Sequence, residues 1–203
     1  MPRPRPHDAA LRATLVELAS AAVAERGSAG LSLRTVAAQA GTTTAAVYTL
    51  FGGRDGLVAA VVEEGFRRFA EHLAAVPRSA DPGADLLALG LAYRDNALAN
   101  PHFYRVMFGP APEQGGAAAP TTAQPTFRVL REAVARVPGV PDADELALRL
   151  WALAHGLVSL ELAGLLPGGR EERDARYREA LLASRRAPDP GPGTEVTPRR
   201  PPG

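Results

Sequence analysis

The amino-acid sequence predicts an all-α protein, and three observations carry that prediction. Apolar residues recur at the three-and-four spacing of helices along most of the chain. Proline and glycine cluster between those runs and punctuate them. No run shows the strict alternation of a strand, and clusters of valine, isoleucine and aromatic residues are missing.

The elements follow in order. Over residues 8–26, Leu11, Leu15, Leu18 and Ala22 recur at helical spacing, and Gly27 ends the run. Ser32 caps a short helix over 33–40 with Leu33, Val36, Ala37 and Ala40 inward, and Gly41 serves as a left-handed stop or tight turn. A third helix is expected over 44–51. After "GGRDG" a longer helix over 54–76 has Leu57, Val61, Phe66, Phe69 and Leu73 as its apolar positions, and "PRSADPG" breaks it. Helices over 84–100 and 101–108 come next, the second opening on proline in its first turn. "GPAPEQGGAAAPTTAQP" reads as a flexible loop. Helices over 126–137, 142–166 and 171–186 complete the series, separated by "PGVPD" and "LPGGR". In the last, Glu171 and Glu172 near the start and Arg185 and Arg186 near the end complement the helix dipole. There is no internal repeat, and the proline- and glycine-rich tail over 187–203 is expected to be disordered.

Composition narrows the function classes. The chain has 203 residues, 46% hydrophobic and 22% charged, enough to fill a core. A net charge of +1 means that any nucleic-acid binding must rest on a local patch. Every fixed cation is arginine, which is the better bidentate phosphate ligand. Cysteine is absent, which excludes disulfides, thiolate metal sites and a cysteine nucleophile. "MPRPRPH" is followed by no apolar run of a secretory signal, so a cytoplasmic protein is expected. Residues 146–166 are long enough to span a bilayer but carry Arg149, His155 and Glu161, each costly in hydrocarbon, so a buried helix and no membrane partner are expected.

Residues 33–51 form two short helices joined by a glycine-containing turn, the helix-turn-helix arrangement whose second helix can enter a DNA major groove. In that reading Thr42 or Thr43 caps the second helix, and the remaining hydroxyls can donate to phosphates at its N-terminus. Ala45 and Ala46 keep the leading face small, Val47 and Phe51 pack inward, and Tyr48 points sideways with a hydroxyl for phosphate. On the residues alone, the three threonines could equally be a cap and Tyr48 half core.

The order and spacing of Ser32, Ala37, Ala40–Gly41, Tyr48–Phe51 and Arg54–Asp55–Leu57 lie within "GLSLRTVAAQAGTTTAAVYTLFGGRDGLVAAVVEEGFRRF". This stretch resembles the DNA-binding unit of tetracycline-repressor-like (TetR/AcrR) transcriptional regulators. The resemblance implies phosphate contacts from Ser32 and Arg34 at the second helix. It implies base or phosphate contacts from Thr42, Thr43, Thr44 and Ala45, backbone contacts from Tyr48 and Thr49, and a phosphate contact from Arg54. Leu50 stands where members often carry His or Tyr, and Gly52–Gly53 replaces more polar residues, so fewer phosphate contacts are expected there. Residues 1–55 hold Arg3, Arg5, Arg12, Arg26, Arg34 and Arg54 against Asp8, Glu17, Glu25 and Asp55, a small positive excess. Arg3 and Arg5, in an arm over 1–7, could reach a minor groove or simply be part of a disordered terminus.

Farther on, "YRDNALANPHFYRVMFG" and "LWALAHGLVSLELAG" are similar to the C-terminal domain of a subgroup with a Trp–His–Gly signature, here Trp151, His155 and Gly156. The resemblance covers residues 8–186 and implies a DNA-binding domain over 8–53 and a ligand-binding and dimerisation domain over 54–186, with 54–76 as connecting helix. Tyr93, Phe103, Met107, Trp151 and His155 are candidates to line a pocket for a small, largely apolar effector, or to be core. The helix over 146–166 is apolar nearly all round, so its second face needs a partner. A homodimer supplies one through a four-helix interface, with Gly156, Ala163 and Gly164 allowing close approach.

Catalytic arrangements are missing. His7, His72, His102 and His155 lack metal-ligand spacing, neither glycine-rich stretch is a phosphate loop, and Glu63–Glu64 diverge on a helix. No enzyme, metal or cofactor is expected. The expectation is a dimeric repressor that places residues 44–51 in a major groove of a pseudo-palindromic operator and is released by its effector. A helical small-molecule-binding or dimeric interaction protein that does not use its helix-turn-helix is the alternative.

Overall fold

The computed structural model describes residues 6–109 and 124–184. Of the arm expected over 1–7, residues 1–5 lie outside them and 6–7 already belong to the first helix. Residues 110–123 of the loop expected over 109–125 and the tail from 187 also lie outside, as do Arg3, Arg5, Arg185 and Arg186. Within them there are nine helices and no strand: α1 (Pro6–Arg26), α2 (Leu33–Gln39), α3 (Thr44–Phe51), α4 (Arg54–Ala74), α5 (Pro82–Ala99), α6 (Pro101–Phe108), α7 (Pro125–Val134), α8 (Ala143–Leu162) and α9 (Arg170–Ser184).

Local chemistry explains where helices start. Ser32 Oγ accepts from Thr35 N at 3.3 Å, and Asp142 Oδ1 accepts from Asp144 N and Glu145 N at 2.9 and 3.1 Å. α5 begins at Pro82 and not at 84, because Asp81 Oδ1 takes Gly83 N and Ala84 N, and proline suits the first turn. At the other ends, α4 stops at Ala74 and α7 at Val134, short of the expected 76 and 137. α8 closes at Leu162 and not at 166, since Gly164 takes φ +71 and turns the chain toward α9.

Two apolar cores result. Leu15, Leu31, Val36, Val47, Leu57 and Val61 fill the first, formed by α1 to α3 and the start of α4. The second contains Phe69, Leu73, Tyr93, Phe127, Leu150, Val158 and Tyr177 from the remaining helices. Leu57 and Phe69 are fully buried, worth about 2 kcal/mol each. α4 thus runs from one core into the other, and the N-terminal core extends past residue 53. α6 bridges them as well: Phe103 belongs to the first core and Tyr104 to the second.

Charged groups tie the helices at the same junction. Glu64 bonds Arg67 and Arg68, Arg68 reaches Glu17 on α1, and the Arg68 guanidinium lies 4.6 Å from the Phe103 ring centroid. The bond from Arg67, with Arg68 beside it, holds the Glu64 carboxyl down to about 2. In the second core Arg94 is buried. Its Nε and Nη2 donate to Glu161 at 2.6 and 2.8 Å, and Nη1 lies 2.6 Å from Asp174, joining α5 to α8 and α9.

Candidate functional site

The N-terminal surface is built by three short-range events. Gly41 takes φ +66 and sets the turn between α2 and α3. Thr43, of the two candidates, caps α3: its Oγ1 accepts from Ala46 N at 3.3 Å. Gly52 then ends α3 in the left-handed region at φ +74, and Gly53 follows at φ +130. A Cβ on Gly53 would sit an ordinary 3.4 Å from Tyr48 Cε1, so the backbone conformation and not space calls for glycine here.

α3 is therefore two-sided. Val47 is buried, and Leu50 and Phe51 are half-buried on the N-terminal core. Leu50 faces inward and takes no place among the polar residues. Thr43, Thr44, Ala45, Tyr48 and Thr49 are exposed, Tyr48 at 59%, while Thr42 is half-buried in the turn. The Thr49 hydroxyl donates to Ala45 O at 3.0 Å, which leaves its oxygen lone pairs outward. Ser32, Tyr48, Arg54 and Asp55 border one open depression, where the starts of α2 and α4 meet the side of α3. α4 has no side-chain cap, so its first amides face this depression's end of the helix unpaired by a cap. Arg34 and Arg54 are exposed and pair with no carboxylate among the described residues. Unpaired guanidinium groups, hydroxyls and helix N-termini on one face form a surface that can take phosphates.

The C-terminal candidates divide into two groups. Tyr93, Tyr104 and His155 form one polar knot in the second core. Tyr104 OH lies 2.8 Å and Tyr93 OH 3.1 Å from His155 Nδ1, and the two hydroxyls are 3.2 Å apart. Trp151 stacks on His155 with centroids 4.8 Å apart, and Phe108 meets the imidazole edge-on at 4.7 Å. Burial holds His155 below its ordinary value and pushes both phenols up, so all three groups are neutral near pH 7.

Beside this knot lies an apolar cavity of about 40 Å³ between α4, α5, α7, α8 and α9. Tyr93 and Trp151 line it together with leucines and Thr126. His155 stands behind them and reaches the cavity only through their rings. Phe103 and Met107 are placed elsewhere: Phe103 is buried in the N-terminal core, and Met107 is wedged against Gly65 of α4 between the two cores. The leucines Leu73, Leu86, Leu130, Leu150 and Leu181 escaped the sequence reading because nothing in a core leucine marks it as bordering a void. Thr126 carried a signal, a hydroxyl on the inward face of a helix beside Phe127.

On α8, Leu148, Ala152, Gly156 and Leu160 make a stripe at intervals of four. Leu148 and Leu160 are 41% and 42% exposed, and a Cβ on Gly156 would meet nothing within 4 Å. Among the described residues no single helix is long and apolar enough to cross a membrane.

Comparison with known proteins agrees with this architecture. Residues 15–61 match the bacterial regulatory proteins of the tetR family, and residues 86–184 match a tetracyclin repressor-like C-terminal domain. The HTH-type transcriptional regulator Rv1816 of Mycobacterium tuberculosis is 28% identical over 194 residues, covering 76% of this chain and 81% of its own. The crystal structure of SCO4313 superposes with a TM-score of 0.72 at 29% identity, over 90% of this chain and 98% of that one. A Rhodococcus sp. RHA1 protein of unknown function gives 0.68 at 28% identity, over 85% and 94%. Members of this family regulate transcription by binding DNA and are not enzymes. With both domains matched in order along one chain, the protein belongs to the TetR family of transcriptional regulators.

Proposed function

We propose that the protein is a homodimeric repressor, released from a pseudo-palindromic operator when a small, largely apolar molecule enters the C-terminal domain. The observation that carries this reading is α4. Its first residue, Arg54, borders the depression beside α3, and Leu73 in its last turn lines the apolar cavity. A molecule that swells the cavity acts on the end of the helix whose other end presents a guanidinium to DNA. Coupling of this kind needs only that the effector bind one orientation of α4 better than the other.

In this reading Ser32, Arg34, Tyr48 and Arg54 hold phosphates, Thr44 and Ala45 approach base edges, and Thr49 joins the phosphate contacts only when its hydroxyl turns from Ala45 O. Thr43 is occupied as the cap. The stripe from Leu148 to Leu160 on α8, with exposed Leu182 on α9, is the face that a second copy covers. Two recognition helices in the dimer then lie about 34–36 Å or somewhat more apart.

The test is fluorescence anisotropy of the purified protein on DNA flanking its own gene, across a salt series. Saturable binding to one segment, weakened steeply by salt and poorly competed by random DNA, is the expected result. Absence of binding to any DNA at low salt refutes the DNA-contact reading.

A further inference from the structure

The cavity's wall is uneven in one respect. Among the described residues no charged side chain lines it, and its surface is almost wholly hydrocarbon from leucines, Ala154 and Trp151. Two hydroxyls interrupt it. The Tyr93 hydroxyl is committed to Tyr104 and His155. Thr126 is different: the residue is 5% exposed, it lines the cavity from the first turn of α7, and its hydroxyl hydrogen-bonds to no other residue among those described. The hydroxyl is not sealed from solvent, so its bonding capacity is open to a ligand that reaches it.

The nearest buried cation is not available to a ligand. Arg94, on the cavity's own helix α5, is held by Glu161 and Asp174. A carboxylate or ammonium in the cavity would lose its hydration and find no counter-charge among the described residues. A space of about 40 Å³ is smaller than the proposed effector, so binding requires a wall side chain to shift, and Leu181 is the one that lies against bare backbone. Its tip rests on the bare backbone of Gly90, 2.5 Å from where a Cβ would stand, and it is the lining residue contributed by α9.

We infer that the effector is an uncharged aliphatic molecule bearing a hydrogen-bonding oxygen, an alcohol, ketone or ester, anchored on the Thr126 hydroxyl while its chain displaces Leu181 from Gly90. This assignment rests on the ligand-responsive reading and names the ligand class and the residue that selects it. Leucine walls bind the chain, Thr126 binds the oxygen, and the missing counter-charge excludes ions.

The experiment titrates the full-length protein at pH 7 with 1-octanol, octanoate and octylamine by calorimetry, for wild type and Thr126→Val. Octanol binds saturably to wild type, and octanoate and octylamine bind at least about tenfold more weakly. Thr126→Val keeps the volume and removes the hydroxyl, so octanol affinity falls about fivefold while the thermal midpoint without ligand changes little. Equal binding of either ion overturns the uncharged class. Unchanged octanol affinity in Thr126→Val overturns the anchor, and binding of none of the three overturns the assignment as a whole. DNA release is read separately by anisotropy. Octanol that binds without releasing DNA refutes the ligand-responsive reading and leaves the pocket assignment standing.

Discussion

Phe103 and Tyr104 are consecutive residues buried in different cores. The Phe103 ring lies in the N-terminal core under the Arg68 guanidinium, and the Tyr104 hydroxyl lies 2.8 Å from His155 Nδ1 in the C-terminal core. One turn of α6 thus takes part in both units, and it does so by pressing on α4 at Gly65. A Cβ on Gly65 would stand 2.6 Å from Met107 Sδ and 3.4 Å from Phe103 Cδ1.

That approach leaves no room for a side chain. Gly65→Val should destabilise the protein by about 2 kcal/mol through overpacking. Methionine is the flexible partner, so adding Met107→Ala should recover part of the loss. Urea denaturation of the single and double variants measures both; full stability in Gly65→Val would mean that α6 is not tightly seated on α4.

Arg34 and Tyr48 sit on the outward face, and neither packs in the core. Arg34→Ala should weaken operator binding about tenfold and lower the salt slope by about one. Tyr48→Ala should weaken it by a similar factor. Both variants should sediment as dimers with unchanged thermal midpoints, and loss of the dimer together with DNA binding would place these residues in the wrong role.

Leu160 is 42% exposed on the stripe assigned to the second copy. Leu160→Glu puts a charge where the partner's apolar face should lie, at a cost of several kcal/mol per dimer. Analytical ultracentrifugation should show monomers with native helical content. A variant that remains dimeric would exclude this face as the interface.

The Glu64 carboxyl is held down to about 2 in the folded protein by Arg67 and Arg68, against 4.5 for an ordinary glutamate. The unfolded chain binds its proton first as pH falls, so the stabilisation is complete above about pH 5 and fades between about 4.5 and 2. Glu64→Gln should lose stability at pH 7 and show a flatter decline through that window. Denaturant midpoints at pH 7, 5 and 3 test it, and parallel curves for the two proteins would contradict the assignment.

Arg94 and Glu161 are a buried pair, their side chains 7% and 8% exposed. Arg94→Met leaves the Glu161 carboxylate only Arg173, whose Nε is 3.8 Å away without a hydrogen bond, and should cost about 3 kcal/mol. Adding Glu161→Met should restore much of that, because the penalty comes from a buried carboxylate that has lost its hydrogen-bonded partner. Thermal unfolding of the two variants measures the difference, and equal loss in both would assign the cost to packing.

Much of the architecture was local and therefore readable. Helices α1 to α4 were expected within a few residues because caps such as Ser32 and Thr43, and stops such as Gly27 and Gly52, act over a single turn. The outward set Thr43, Thr44, Tyr48 and Thr49 was implied by the family resemblance, since on the residues alone Tyr48 could equally have been half core. The start of α5 was missed by two residues because Asp81–Pro82 was read as part of a breaking segment, when it is a cap with proline after it.

What only the tertiary structure decided is which distant residues meet and where space is left over. Phe103 and Met107 looked like pocket residues from their chemistry, and packing between α4 and α6 placed one in the other core and one between the two. Arg94 finds Glu161 and Asp174 on other helices, and no periodicity encodes that pairing. The cavity is a difference between the volume that five helices enclose and the volume their side chains fill, so no single leucine announces it. Residue type and spacing along the chain determined the helices, their caps and the exposed face of α3. Long-range packing determined that Tyr93, Trp151 and Thr126 border an apolar void, because voids and buried pairs depend on positions that only the assembled fold brings together.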